Sequence, residues 1–179
     1  SSMLRATGLA NFSTIEAAAE KIPLTDDSID YVFTFNAIHH FDFAAFIQEA
    51  ARIARDGGSI IIYTRLRSQN AENIWGAHFP FFLAKENRLY EVDELEQIIT
   101  TIPALNIQCV KRFRYLRTAS LDQLADLARS HHYSTFSLYG KGEFASALKG
   151  FQRNITQHFS DLEHIKWFDE YTMLVVTPS

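Results

Sequence analysis

Ile29-Asp30-Tyr31-Val32-Phe33-Thr34-Phe35, then the segment from Asp42 to Ala54, then Gly57-Gly58-Ser59-Ile60-Ile61-Ile62-Tyr63-Thr64, decide the fold when read in succession. The first run is β-branched and aromatic with little polar interruption, which predicts a strand buried on both faces. Asp42 is a fitting N-cap, and Phe43, Phe46, Ile47, Ala50 and Ile53 with Ala54 fall on one helical face, with Gln48, Glu49 and Arg52 elsewhere. Gly57-Gly58 is expected to stop that helix. Ser59 to Thr64 then reads as a second buried strand, parallel to the first and reached by a right-handed crossover. In open α/β sheets ligands bind beyond the carboxyl ends of the strands, so chemistry is expected at Asn36 to His40 and at Thr64 to Arg67.

Working outward, Ala18-Ala19-Glu20-Lys21-Ile22-Pro23-Leu24 precedes the polar turn Thr25-Asp26-Asp27-Ser28, and Ala37-Ile38-His39-His40-Phe41 follows the first strand. The order and spacing of these motifs, with Gly57-Gly58 before an apolar strand, resemble the middle of a class I S-adenosylmethionine-dependent methyltransferase of the small-molecule, UbiE-like kind. The resemblance implies an α/β fold, a Rossmann-like sheet with helices on both faces and an antiparallel last strand. It implies S-adenosylmethionine as cofactor, with Ala18, Ala19 and Glu20 bordering the adenine and Phe35, Asn36 and Ala37 bordering the methionine part. The family sheet runs 3-2-1-4-5-7-6, and only strands three to seven have counterparts here. Ser1 to Ala6 resembles the start of the family's second helix. No glycine-rich turn follows an apolar strand, so the loop that cradles the cofactor has no counterpart.

The expectation is therefore a single, N-terminally incomplete domain over 1–179, with its core at 12–67 and the substrate-side insertion and last two strands at 68–179. Thr14 to Ala18 is the expected third strand, and the edge of the fourth strand is left open to rearrangement, swapping or pairing into a homodimer. A fragment of a longer enzyme fits this better than a naturally short protein, and the 179 residues alone are expected to be inactive.

Composition sets bounds. The 179 residues are 47% hydrophobic and 21% charged with a formal charge of -4, which allows one domain with a substantial core and gives no basic excess to attract nucleic acid. No apolar run approaches the ~20 residues that span a membrane, so no membrane partner is expected and a cytoplasmic protein is the default. Cys109 is the only cysteine, which excludes an intramolecular disulfide, and its strand context predicts a buried thiol.

Further along, Ile74 to Leu83 is dense in aromatics and reads either as packing on the core or as the apolar wall of a small-molecule pocket. Glu91 to Thr101 is a helix with Leu95, Ile98 and Ile99 inward. Asn106 to Thr118 is an edge strand carrying the basic cluster Lys111, Arg112, Arg114 and Arg117. Ser120 with Gln123 forms a capping box, and Glu143 opens the longest helix. Arg129 to Leu138 resembles a segment near the C-terminus of many small-molecule methyltransferases. Tyr171 to Thr177 closes the chain as the antiparallel strand.

Among chemical candidates, His39-His40 suit a base for a hydroxyl or carboxyl substrate, or simply border the cofactor and cap the next helix. Adjacent histidines point apart and no third ligand is suitably spaced, so no metal is expected. His131, His132, His158 and His164 read as surface or helix residues. Asp26, Asp27 and Asp30 read as turn formers rather than a cation site. Asn36, a polar residue ending an apolar strand at the crevice, reads as a cofactor contact.

Methyl transfer to a small molecule needs mainly in-line positioning of the methyl and its acceptor. The alternatives are a non-catalytic, dimerising or ligand-binding relative, which an in-frame strand and glycine-rich turn before Ser1 would argue against, and a nicotinamide-dependent dehydrogenase, against which the Ala19-Glu20 and His39-His40 motifs count.

Overall fold

The computed structural model describes residues 13–178. It holds one four-stranded sheet in the order β1-β2-β4-β3. These are β1 (Ile29–Phe35), β2 (Ala54–Thr64), β3 (Leu105–Ala119) and β4 (Ile165–Pro178). β1 and β2 are parallel, and β4 runs antiparallel to both β2 and β3. That order and direction reproduce strands four, five, seven and six of the expected sheet.

The connection from β1 to β2 runs through a helical turn, Ile38–His40, and helix α1 (Phe43–Ile53). Asp42 caps α1 as expected, its side chain accepting from the Ala45 amide at 3.1 Å. The helix ends at Ile53, four residues before Gly57. Ala54 already pairs with Ile29, and Ala54 to Gly58 bulge outward before Ser59 pairs with Tyr31. Gly57 takes φ 76, and a Cβ on Gly58 would lie 2.8 Å from the Arg55 carbonyl oxygen, so the glycine pair shapes this bulge rather than stopping the helix. The acidic turn is tied to the same region: Arg52 pairs with Asp26 and Glu49, and Arg55 with Asp30. Asp26 and Asp30 thus have partners on the chain.

One sheet face is covered. Ile60, Ile62, Leu174 and Val176 pack under Phe43, Phe46, Ile47 and Ala50 of α1 and under Leu95 and Ile99 of α5 (Val92–Thr100). On the other face, Tyr31, Phe33 and Phe35 are exposed at 61, 53 and 64%. The expectation that β1 is buried on both faces is thus corrected. β1 is an edge strand, and among the described residues no helix overlies that side of it. Cys109 is also exposed, against expectation, because it sits beside the register shift of the edge strand β3. Thr14 to Ala18 form no strand. Ala18 makes only an isolated bridge to Lys21, since no strand lies beside this segment among the described residues. Ser1 to Ala6, and residue 12 of the expected core, lie outside the described residues.

A second, aromatic cluster forms a helical lobe. It is built from α3 (Ile74–His78), α4 (Phe82–Lys85), α6 (Leu121–Arg129) and α7 (Lys141–His158), all following the short α2 (Arg67–Glu72). Trp75, Phe79, Phe82, Phe136 and Phe151 are its buried centre. The segment Ile74 to Leu83 is therefore mainly packing. The Ser120–Gln123 capping box forms as expected. β3 and β4 extend past the end of β2, where Ile165 joins the lobe. The sheet's carboxyl end and the lobe thus face each other.

Candidate functional site

A cavity of about 340 Å³ lies between these two parts. Asn36, His39 and His40 come from the end of β1, and Thr64 and Arg65 from the end of β2. Tyr171 comes from β4, Asn70 from α2, Glu86 and Leu89 from the loop after α4, and His132 to Thr135 from the segment after α6. The two loops expected to carry chemistry are both present in its wall.

Asn36 takes a left-handed conformation, φ 47, which asparagine tolerates better than most residues. Its amide donates to the Tyr63 carbonyl at 2.7 Å, so the chain leaves β1 with the ladder intact up to the turn. His39 and His40, expected to point apart, instead stack with ring centroids 4.0 Å apart, because Ile38–His40 form a helical turn rather than an extended segment. His39 is half-buried, and its Nδ1 has no hydrogen-bond partner among the described residues. Burial first, and His40 second, push its pKa down to about 4, so the imidazole is neutral near pH 7.

The opposite wall is charged and ordered. Arg65, 5% exposed, donates through Nη2 to Asp169 Oδ1 at 2.9 Å and to the Tyr171 hydroxyl at 2.8 Å. Its guanidinium lies 4.7 Å from the Tyr171 ring centroid and 5.2 Å from that of Tyr133. Burial pushes the Tyr133 hydroxyl up to about 12. Asp169 Oδ2 accepts from Arg117 at 3.3 Å. Glu86, 4% exposed, accepts from Arg88 at 2.9 and 2.6 Å and from the Thr135 hydroxyl at 2.6 Å. Burial alone would raise the Glu86 pKa, but these bonds outweigh it and hold the carboxyl below its usual range.

Of the residues expected at the site, the cavity brings together Asn36, His39 and His40. Ala18, Ala19, Glu20, Phe35 and Ala37 do not line it. The Glu20 carboxylate accepts from the Asp42 amide at 2.9 Å, helping to hold the N-terminus of α1. Phe35 projects on the uncovered face, stacked near Phe33 with centroids 6.1 Å apart. Ala37 starts the helical turn, its carbonyl accepting from the His40 amide at 2.9 Å. Sequence reasoning did not single out Arg65, Asp169, Tyr133, Glu86 or Thr135. A signal for four of them was present: Arg65 lies in a loop already expected at the crevice, Tyr133 and Thr135 lie in the segment Arg129 to Leu138 that carries a family resemblance, and Asp169 is an acidic residue leading into an otherwise apolar last strand. Among the described residues no group of three or more His, Cys, Asp or Glu could hold a metal ion. No helix among them is long and apolar enough to cross a membrane.

Residues 2–62 match the family "Methyltransferase domain". A protein from Bacillus halodurans C-125 assigned as a methyltransferase superposes with TM-score 0.61 at 13% identity, covering 99% of this chain and 77% of that one. The chain has the class I methyltransferase fold. A methyltransferase of an antibiotic biosynthesis pathway from Anabaena variabilis ATCC 29413 aligns with TM-score 0.64 at 20% identity over 92% of this chain and 72% of its own. Loganic acid methyltransferase, solved with S-adenosylhomocysteine, aligns with TM-score 0.63 at 11% identity over 99% and 70%. A comparison with curated proteins gives no match. In this methyltransferase fold the cavity occupies the carboxyl side of the strands matching four and five, where ligands of open α/β sheets bind.

Proposed function

We propose that this methyltransferase domain serves S-adenosylmethionine-dependent methyl transfer to a small molecule, with the acceptor in the 340 Å³ cavity. The observation that carries this reading is the position of that cavity, at the carboxyl ends of parallel strands and lined on its other side by the segment after α6. Its size suits a small molecule rather than a polymer.

The donor set fits the cofactor. No hydrogen bond within the described residues uses the side-chain amide of Asn36, which leaves it available to polar groups of the methionine part. Phe35 and Ala37 flank it, and Ala18, Ala19 and Glu20 border the adenine. Bound S-adenosylmethionine supplies an electrophilic methyl on sulfur. This chain's own residues position the acceptor and exclude water, which is most of what such a transfer requires. His39 and His40 line the acceptor cavity, where an imidazole can take up a proton from a hydroxyl acceptor. These 179 residues contain no glycine-rich turn after an apolar strand, so by themselves they are expected to be inactive. The free edge of β1 supports pairing of two copies, which a sedimentation mass of twice the chain mass would bear out and a single-chain mass would exclude.

The test is calorimetric titration of the chain with S-adenosylhomocysteine, followed by transfer of labelled methyl from S-adenosylmethionine to a fractionated small-molecule extract. Saturable micromolar binding, about -8 kcal/mol, supports the cofactor assignment. Labelled product is not expected from these 179 residues alone, so binding decides: absence of binding by the folded chain overturns the cofactor assignment for these residues and favours a fragment or a non-catalytic module.

A further inference from the structure

We propose that the ligand of this cavity carries an anionic oxygen group, a carboxylate in the simplest case, and that Arg65 holds it. The inference names the substrate class of the site described above and rests on its being the acceptor site.

Of the charged residues that line the cavity, Arg65 is a buried cation with spare donors and Glu86 a buried anion with none; Asp169 lies behind Arg65. Arg65 bonds to Asp169 and Tyr171 through Nη2 and is held against Tyr133, while its Nε is buried without a partner. A guanidinium has five N–H donors in a planar fork, and leaving some of them dry is unfavourable unless a ligand satisfies them. Asp169, by contrast, has both oxygens engaged, Oδ1 by Arg65 and Oδ2 by Arg117. Glu86 also has both engaged, Oε1 by Arg88 and Oε2 by Arg88 and Thr135. Neither carboxylate has an open arrangement to offer a cationic ligand.

The aromatic surfaces support the same choice. Tyr133 and Tyr171 would make two sides of a cage for an ammonium ligand, but the Arg65 guanidinium already occupies their faces. Stacking there also fixes the plane of the guanidinium, so a planar carboxylate in the cavity can meet it with little further loss of side-chain freedom. The neutral residues Thr64 and Asn70 complete this part of the wall and can take up the remaining polar groups of a ligand.

The experiment follows the Arg65 Nε–Hε resonance by NMR during titration of the chain with benzoate and phenylacetate, and separately with benzamide and phenylacetamide. The expected result is a saturable shift with at least one carboxylate and at least tenfold weaker binding of its amide. Equal binding of acid and amide, or no carboxylate response at Arg65, overturns the inference. Arg65→Gln combined with Asp169→Asn replaces the ion pair by an amide pair and should abolish the preference for the acid. Arg65→Lys keeps a charge against Asp169 and should weaken the preference without reversing it. A preference that survives in the folded double variant overturns the inference. If either variant fails to fold, the acid–amide comparison on the unaltered chain decides. Titration of the same sample with S-adenosylhomocysteine separates the two proposals. Cofactor binding without a carboxylate preference leaves methyl transfer standing and removes this inference, whereas the reverse result retains the anion site and counts against methyl transfer.

Discussion

Ile62 and Phe33 lie on adjacent strands of one sheet, yet Ile62 is fully buried and Phe33 is 53% exposed. The two faces show the same alternation and a similar apolar content. The difference lies in what covers them: α1 and α5 lie over the first, while the second shows a row of aromatic rings running from Tyr31 through Phe33 and Phe35 to Tyr63 on β2. Strand periodicity tells which residues share a face. It does not tell which face has a partner.

The largest test of this contrast is Ile62→Ala, which opens a cavity beneath α1 and should lower stability by about 2–5 kcal/mol in chemical denaturation. A loss well under 1 kcal/mol would mean that the covered face is not the core. Next is Thr172→Val, in the middle of β4 opposite Thr64 at the end of β2. The Gln69 side-chain amide donates to the Thr172 hydroxyl at 2.9 Å in a buried setting, and its loss should cost about 1–3 kcal/mol by leaving that donor unsatisfied. An unchanged midpoint would show that water reaches this point and that sheet and lobe are less closely joined.

A pH series examines the boundary at the end of β1. His39 has a folded pKa of about 4, below its unfolded value of 6.5, so between these values the unfolded chain binds more protons. The contribution of His39 is complete above pH 6.5, declines as the pH falls towards 4 and is constant below that. The denaturation midpoint should fall over that window, and His39→Gln should flatten the fall; an equal slope in the variant would assign it to other groups. The smallest effect is expected for Phe33→Ser, within about 0.5 kcal/mol at low chain concentration, because little surface around it is buried. A loss of 2 kcal/mol or more would show that a second copy or further chain covers the aromatic face.

Much of the fold was legible. Phe43, Phe46, Ile47 and Ala50 repeat at helical spacing, and Asp42 and Ser120 cap where expected, because these are local effects of backbone geometry and short-range hydrogen bonding. The burial of β1 was misjudged because an apolar strand looks the same beside an occupied and an empty neighbouring position. Thr14 to Ala18 was misjudged for a related reason: a strand is a pairing, and its partner cannot be read from its own residues. At the candidate site, Asn36, His39 and His40 were legible because they end a recognisable strand. Arg65 and Asp169 are 104 residues apart in the chain, and no spacing rule connects them.

The sequence by itself determined the βαβ unit, the parallel direction of its strands, the capped helices and the crevice at their carboxyl ends, all of which follow from short-range periodicity and chain connectivity. The tertiary structure alone decided which sheet face is covered, that the aromatic segment Ile74 to Leu83 packs into a lobe rather than a pocket wall, and that a buried arginine with unused donors faces the cavity. Those features depend on groups distant in the chain meeting in three dimensions, where burial and the number of available partners, rather than residue type, fix what each side chain can do.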